Sequence, residues 1–223
     1  MDESRKKKFD IDAIVRILRQ DVAPLRVPIV TEISRDSRSP FAVLVSTLLS
    51  LRTKDEVTRE AAARLLGAAG TPQEMLSIPQ SEIEQLIYPV GFYKTKAANL
   101  LDVCRVLIDR FDGNVPEDLD ELLKLKGVGR KTANLVVTLG FGKQGVCVDT
   151  HVHRICNRLG YVKTKTPEQT EMALRERLPQ RYWIEFNDLL VTYGQNICRP
   201  ISPFCSRCRI LPYCLQVGVT TRR

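Results

Sequence analysis

The sequence lacks the features of an exported or membrane-bound protein. No stretch resembles a signal peptide, and the longest apolar run, residues 41–51, is interrupted by three hydroxyl side chains. Such a run is too short to cross a bilayer, so we expect a buried helix there and no membrane contact. Histidine is scarce as well. The 2 histidines, His151 and His153, would face different sides of a helix, so we expect no metal shared between them.

The sequence also lacks the patterns of a β-sheet. No segment combines two-residue alternation with a hairpin turn, and no repeat or low-complexity linker marks a domain boundary. Apolar residues recur instead at helical spacing, most clearly over residues 11–18, 55–66, 97–108, 150–159, 167–178 and 184–197. Thr71 before Pro72 predicts a helix start, and Ser81 with Glu84 predicts a capping box. We therefore predict an all-α fold.

Charge of one sign is in excess. The chain has 34 lysines and arginines against 26 aspartates and glutamates, a net charge of +8 and a pI near 9.2. This balance suits a polyanionic partner without identifying one. The basic run at residues 5–8 is typical of a solvated tail, and we assign it no function. With 223 residues, the chain can bury the core of one large or two small domains.

A glycine turn separates two predicted helices. Leu119, Leu122 and Leu123 recur at helical spacing, Gly127-Val128-Gly129 interrupts them, and a second apolar stripe begins at Ala133. Glycine permits positive φ and the close approach of a ligand, and the amides that open a helix attract anions such as phosphate. An ordinary helical hairpin with a glycine cap has the same pattern.

Two cations and a carboxylate follow this turn. Arg130 and Lys131 fall in the first turn of the second helix, where the helix dipole disfavours cations by about 0.3–1 kcal/mol each. We therefore predict an anionic ligand there. Asp149 follows 18 positions after Lys131, so the segment holds a candidate nucleophilic amine and a candidate carboxylate. The alternatives are a phosphate-binding lysine and an aspartate that caps a helix beginning at Thr150.

Four of the 7 cysteines lie in the final quarter, with six, two and five residues between them. They are Cys198, Cys205, Cys208 and Cys214. Disulfides are disfavoured because three further cysteines lie in apolar settings and no export signal is evident, so we predict a metal site. The spacing alone leaves zinc and an iron–sulfur cluster open. We expect Cys104, Cys147 and Cys156 to be small core residues.

Together these motifs resemble endonuclease III, a family of DNA glycosylases with AP-lyase activity in the helix-hairpin-helix superfamily. The similarity runs from about residue 41 to residue 214. It includes Leu-Leu-Ser at 48–50, Thr-Lys-Asp at 53–55 and Val-Gly-Phe-Tyr at 90–93, where the family places DNA-contacting loops. The resemblance implies a six-helix barrel domain with a helix-hairpin-helix motif at residues 33–143. It also implies a helical cluster domain from residues 1–32 and 144–223, which holds a [4Fe-4S] cluster on the four cysteines.

The resemblance also implies a reaction. A bifunctional DNA glycosylase/AP lyase removes an oxidised pyrimidine from duplex DNA and nicks the strand by β-elimination in base excision repair. The damaged nucleotide leaves the stack, the neutral amine of Lys131 attacks C1′ to form a Schiff base, and Asp149 stabilises positive charge on the sugar. The expected partner is double-stranded DNA with a damaged or abasic nucleotide. We expect a monomer in the cytoplasm, associated with the nucleoid, or in the nucleus of a eukaryote.

Further residues match DNA contacts of the family. They are Arg52, Phe92, Gly127, Val128, Gly129, Arg130, Thr132 and His151. Arg52 is a departure, because the family commonly has a glutamine there to fill the gap left by the flipped nucleotide. Arginine can stack on bases and bind guanine with two hydrogen bonds, or it can contact a phosphate, and both readings stay open.

The same motifs occur with two other functions. One is a monofunctional mismatch glycosylase, although such relatives lack the catalytic lysine. The other is a non-catalytic DNA-binding or redox-sensing cluster protein, in which Lys131 merely binds phosphate.

Overall fold

The computed structural model describes residues 8–223, so residues 5–7 of the basic run lie outside the described part. Residues 8–223 contain helices and turns but no strand, and the all-α prediction is confirmed for them. None of the helices in the described range is long and apolar enough to span a membrane. The chain divides into two compact units. We call Pro28–Gly145 the central unit, and Val146–Arg223 with the described part of Met1–Val27 the terminal unit.

The central unit is built from helices of 5 to 19 residues. They are α2 (Ile29–Ser37), α3 (Pro40–Ser50), α4 (Asp55–Ala68), α5 (Pro72–Ser77), α6 (Gln80–Ile87), α7 (Tyr93–Phe111), α8 (Leu119–Leu123) and α9 (Arg130–Leu135), with a π-helical turn at Val136–Gly140. The predicted buried helix is α3, in which every residue from Phe41 to Leu49 is buried. Ser39 caps it by accepting a hydrogen bond from the Ala42 amide. The core therefore surrounds α3 and supports the loops at its end.

Two of the predicted helix starts have different outcomes. Thr71 caps α5, and its side chain and that of Glu74 form a reciprocal capping box, as predicted. The capping box predicted at Ser81 is wrong. The cap of α6 is Pro79, and the helix already begins at Gln80, so Ser81 lies inside its first turn. The ring of Pro79 fixes its φ, which is −58°, and proline has no N–H group that would need an acceptor at the start of the helix.

The terminal unit joins the two ends of the chain. Its helices are α1 (Ile11–Val22), α10 (Thr150–Leu159), α11 (Pro167–Arg177) and α12 (Trp183–Asn196), with 3-10 turns at Gln180–Tyr182, Cys205–Arg207 and Leu211–Tyr213. Helix α1 buries Ile14 and Leu18 in the same core as Phe186 and Tyr193 of α12. Arg209 reaches back to Asp21 with an ion pair of 2.6 Å. The end of α1 is therefore fixed beside the cysteine-rich segment.

Candidate functional site

The glycine turn of the central unit forms the predicted helical hairpin. Gly127 has φ +79°, a left-handed conformation that favours glycine. Gly127 and Gly129 are exposed, whereas Val128 is buried in the core. Helix α9 begins at Arg130, so Arg130 and Lys131 lie in its first turn as predicted, and both are half-buried. The hairpin thus presents its main chain and these cations at the surface.

The two glycines of the hairpin do different work. A Cβ added to Gly127 would lie 3.2 Å from Asn99 Nδ2, in addition to the strain of its φ. A Cβ added to Gly129, which has φ −97°, would meet no atom of residues 8–223 within 4 Å. The folded chain therefore does not need a glycine at position 129. The glycine instead leaves room beside Lys131 for a ligand to approach the main chain.

Two further predicted DNA contacts lie together on the central unit. Arg52 and Phe92 are both exposed, and the Arg52 guanidinium carbon lies 5.7 Å from the centre of the Phe92 ring. Both residues have positive φ, 54° for Arg52 and 59° for Phe92, which is uncommon outside glycine. They line an open pocket of about 370 Å³ that also includes Lys96, Asn99 and Gly127. Arginine and phenylalanine can both stack on bases.

Asp149 belongs to the terminal unit, where it caps α10. Its Oδ1 accepts hydrogen bonds from the amides of His151 at 2.8 Å and Val152 at 3.0 Å. The capping role predicted for Asp149 is therefore confirmed. The cap fixes the carboxylate at the surface end of a helix with a strongly apolar inner face. Such a group is held in one orientation before any substrate binds.

His151 is fixed by its neighbours on α10 and α12. Its Nδ1 lies 3.1 Å from Nη2 of Arg154, and because arginine can only donate, this nitrogen is the acceptor. The proton of a neutral ring is then on Nε2. A Cβ added to Gly194 would lie 2.4 Å from His151 Nδ1, so a glycine is required at this place in α12. These contacts therefore fix the ring of His151 in the first turn of α10.

The four clustered cysteines line one pocket of the terminal unit, with apolar walls that include Ile155, Leu159 and Ile210. Three of the sulfur atoms lie within hydrogen-bond distance of a donor. These contacts are Arg158 Nη1 to Cys198 Sγ at 3.5 Å, Tyr193 Oη to Cys208 Sγ at 3.3 Å and the Gln216 amide to Cys214 Sγ at 3.3 Å. Donors aimed at sulfur are the arrangement that stabilises metal-bound thiolates.

The apolar walls of the pocket disfavour the charged form of these cysteines. Burial raises the pKa of Cys208 to about 12 and that of Cys214 to about 11. Within residues 8–223, no group of three or more His, Cys, Asp or Glu side chains is arranged to hold a metal ion. Metal binding requires thiolates, so a bound metal would displace these protons. Cys104, Cys147 and Cys156 are buried core residues, as predicted.

The remaining predicted contacts are divided. Val128 and Thr132 are 7% and 1% exposed, so they can offer a ligand only their main chain. Lys131 lies in the central unit and Asp149 in the terminal unit.

Lys96 and Arg154 were not predicted, although both bind main-chain oxygens of segments that carry predicted site residues. Their main-chain partners are 40 to 47 residues away in sequence, so no local pattern indicates these contacts.

The sequence matches the family model of the HhH-GPD superfamily of base excision DNA repair proteins over residues 45–180. Endonuclease III of Thermotoga maritima is 47% identical over 175 residues, which are 78% of this chain and 82% of that protein. The chain belongs to the endonuclease III family. The resemblance that the motifs indicate is therefore confirmed.

Other members of the endonuclease III family are similar to the chain. "Endonuclease III homolog 2, chloroplastic" of Arabidopsis thaliana is 46% identical over 183 residues. The match covers 78% of this chain and 47% of that relative, so the chain spans about half its length. Among solved structures, a trapped endonuclease III–DNA covalent intermediate superposes with a TM-score of 0.82 at 33% identity, covering 92% of this chain and 94% of the other.

Proposed function

We propose that this member of the endonuclease III family is a bifunctional DNA glycosylase and AP lyase, with Lys131 as its nucleophile and Asp149 as its essential carboxylate. The observation that carries the proposal is the hairpin. Lys131 lies in the first turn of α9, beside an exposed turn in which Gly129 leaves open space. A relative of the same family was trapped as a covalent intermediate with DNA, which supports covalent catalysis.

An amine nucleophile accounts for both activities. The ε-nitrogen of Lys131 bonds to C1′ of the damaged nucleotide, and the base leaves with the electron pair of the glycosidic bond. The lysine nitrogen then loses a proton, and the sugar ring opens to a Schiff base. The Schiff base acidifies the proton on C2′. Its removal forms a double bond between C2′ and C3′ and expels the 3′ phosphate, so the strand is cut.

Asp149 supplies negative charge to this reaction. Positive charge develops on the sugar as the base departs, and a carboxylate held in place by two amide hydrogen bonds stabilises it without having to reorganise. Capping and catalysis are compatible in one residue, because the cap fixes the orientation of the carboxylate.

The substrate class we propose is duplex DNA that contains an oxidised pyrimidine or an abasic site. The target nucleotide must leave the stack at a cost of a few kcal/mol, which damage lowers. In this proposal Arg52 and Phe92, whose side chains lie together at the surface, occupy the gap, and the main chain of the hairpin, Arg130 and His151 contact the DNA backbone. The protein would then act at the genome, in the nucleoid of a prokaryote or the nucleus of a eukaryote.

We propose that the cysteine pocket holds a [4Fe-4S] cluster on Cys198, Cys205, Cys208 and Cys214. Four thiols within one apolar pocket, three of them beside hydrogen-bond donors, support this assignment. When bound, the cluster supplies cross-links that close this part of the terminal unit. Iron, sulfide and zinc analysis of the purified protein tests the assignment. Brown protein with iron and sulfide is expected, and colourless protein with stoichiometric zinc would overturn it.

The enzymatic proposal is tested on a duplex with one thymine glycol, with base release and strand cleavage measured separately. We expect the protein to release the base and cut the strand without added alkali, and Lys131→Gln to do neither. Base release that needs alkali for strand cleavage would indicate a monofunctional glycosylase. DNA binding with neither activity would indicate a non-catalytic protein, and both of these results would refute the proposal.

A further inference from the structure

Two turns of the central unit carry the exposed pair Arg52 and Phe92. We call residues 50–54 the Arg52 turn and residues 88–92 the Phe92 turn. The hydroxyl oxygen of Thr53 accepts a hydrogen bond from the Gly91 amide at 3.2 Å. A Cβ added to Gly91 would lie 2.8 Å from the Arg52 carbonyl oxygen, so the turns touch through their main chains at a place that excludes other residues.

Both turns are strained at the residue that faces solvent. The φ angles of Arg52 and Phe92 are 54° and 59°, and neither residue has the conformational freedom of glycine. Such conformations persist only when the surrounding structure holds them. Because the two side chains are exposed, their own packing does not hold them. We therefore look for the restraint in contacts to the main chain of the turns.

Lys96, in the first turns of α7, supplies this restraint. Its Nζ lies 2.7 Å from the carbonyl oxygen of Leu49, 2.6 Å from that of Leu51 and 3.2 Å from Oγ1 of Thr53. An ammonium group has three N–H donors, and these contacts engage all of them. The Leu49 carbonyl belongs to the last turn of α3, where carbonyls lack intrahelical partners and favour a cation.

We propose that Lys96 is a positioning residue for DNA recognition. Its ammonium group holds the Arg52 turn, and through Thr53 it holds the Phe92 turn, so that Arg52 and Phe92 are presented to the duplex as one rigid wedge. This inference rests on the proposed function of Arg52 and Phe92. We call the three contacts of the Lys96 ammonium group, to Leu49, Leu51 and Thr53, the clamp. These contacts are present in the protein without DNA.

The position of Lys96 suits a clamp better than a phosphate contact. The side chain is half-buried, and this burial lowers its pKa to about 8. A lysine that binds phosphate through long-range charge gains nothing from burial. Lys94, two positions earlier on α7, is exposed and therefore serves as a matched control of equal charge.

The clamp is tested on the protein alone by hydrogen exchange of the amides of Thr53 and Gly91. We expect Lys96→Met to accelerate their exchange by about tenfold or more and Lys94→Met to leave it unchanged. Unchanged exchange in folded Lys96→Met would overturn the proposal. If that variant does not fold, Thr53→Val removes the link between the turns, and the Gly91 amide must then exchange faster for the proposal to stand.

The effect on recognition is tested with single-turnover base release from duplex DNA, in a cycle of Lys96→Met, Arg52→Ala and the double variant. We expect Lys96→Met to lower the rate by about tenfold, and the double variant to match Arg52→Ala within about twofold. Cleavage by Lys96→Met at an abasic site in single-stranded DNA should fall less than base release from the duplex, because a single strand leaves no gap for a wedge to fill. If the rate losses of the two single variants multiply in the double variant, the wedge role is contradicted. The same holds if Lys96→Met loses as much activity on single strands as on the duplex. A wild-type protein without lyase activity would refute the enzymatic proposal but not the exchange result.

Discussion

Arg154 donates a hydrogen bond from Nη2 to the carbonyl oxygen of Cys198 at 2.8 Å, and its Nε lies 3.3 Å from the same oxygen. Arg154 is on α10, the helix that Asp149 caps, and Cys198 is the first of the four clustered cysteines. Burial lowers the pKa of Arg154 below its ordinary value, and these acceptors keep its charge in place. One guanidinium therefore connects the helix of the proposed carboxylate with the proposed cluster segment.

Removing this guanidinium should loosen the terminal unit. We expect Arg154→Met to lower the free energy of unfolding by about 1.5–3 kcal/mol, because charged hydrogen bonds are lost and the Cys198 carbonyl is left without its donor. Urea unfolding measures the change. Arg16→Met is the control, since Arg16 is exposed on α1 and should change stability by no more than about 0.5 kcal/mol. Equal stability of the two variants would show that the contact carries no energy.

The two roles of Asp149 can be separated by one substitution. Asparagine caps helices about as well as aspartate, so Asp149→Asn should fold normally. It lacks the negative charge, and we expect turnover on a lesion duplex to fall by about 100-fold or more. Asp118 caps α8 in a similar way, so Asp118→Asn is a control that should keep full turnover. Normal turnover of Asp149→Asn would reduce Asp149 to a cap.

The two glycines of the hairpin should respond differently to alanine. In Gly129→Ala we expect stability within about 1 kcal/mol of wild type, because a methyl group meets no described neighbour. Binding to an abasic-site duplex should weaken by about tenfold, or about 1.4 kcal/mol. Gly127→Ala should instead lose about 1–2 kcal/mol of stability, because its φ is +79°. Thermal unfolding and DNA titration compare the pair, and unimpaired binding by Gly129→Ala would exclude close main-chain approach.

The contribution of Lys96 to DNA recognition should depend on pH. Burial lowers the pKa of Lys96 from 10.5 to about 8, so its ammonium group loses a proton, and one of three donors, as the pH rises through 8. Arg52 is the other charged residue that lines the pocket containing Lys96 and Phe92. We expect the ratio of the wild-type to the Lys96→Met rate of base release to fall above about pH 8. A ratio that is constant from pH 7 to about pH 9.5 would contradict the clamp.

The contribution of Lys96 to the free energy of unfolding changes with pH in the opposite direction to its contribution to recognition. The unfolded chain keeps this proton up to about pH 10.5, whereas the folded chain loses it near pH 8. Stability therefore rises with pH across this window, relative to Lys96→Met. A loss of recognition above pH 8 would then reflect the loop contacts and not unfolding.

The helices could be predicted from the sequence because each one buries a stripe of apolar residues at helical spacing. The hairpin could be predicted because glycines and cations interrupt two such stripes. The helix predicted at residues 150–159 is Thr150–Leu159 in the structure. Lys96 was missed because its partners are carbonyl groups, which every residue carries. The spacing of buried residues does not single it out either, since Lys96 lies four positions before buried Leu100 and Lys94 lies three positions before buried Ala97.

The φ of Arg52 could not be predicted either. Left-handed backbone is expected at glycine, but here it occurs at an arginine, next to the Leu51 carbonyl that Lys96 binds and to the close approach of Gly91. The glycine that signals the close approach is therefore in another turn, about 40 residues later in the chain. Contacts of this kind depend on packing between segments and leave no periodic pattern in either of them.

The central claim is that Lys131 becomes covalently bound to DNA, and borohydride trapping tests it most directly. The protein is incubated with a duplex that carries an abasic site, reduced with borohydride, digested and mapped by mass spectrometry. We expect a stable adduct on Lys131 in the wild type and none in Lys131→Ala, which should still bind the duplex. An adduct on another amine, or an equal yield from Lys131→Ala, would contradict the account.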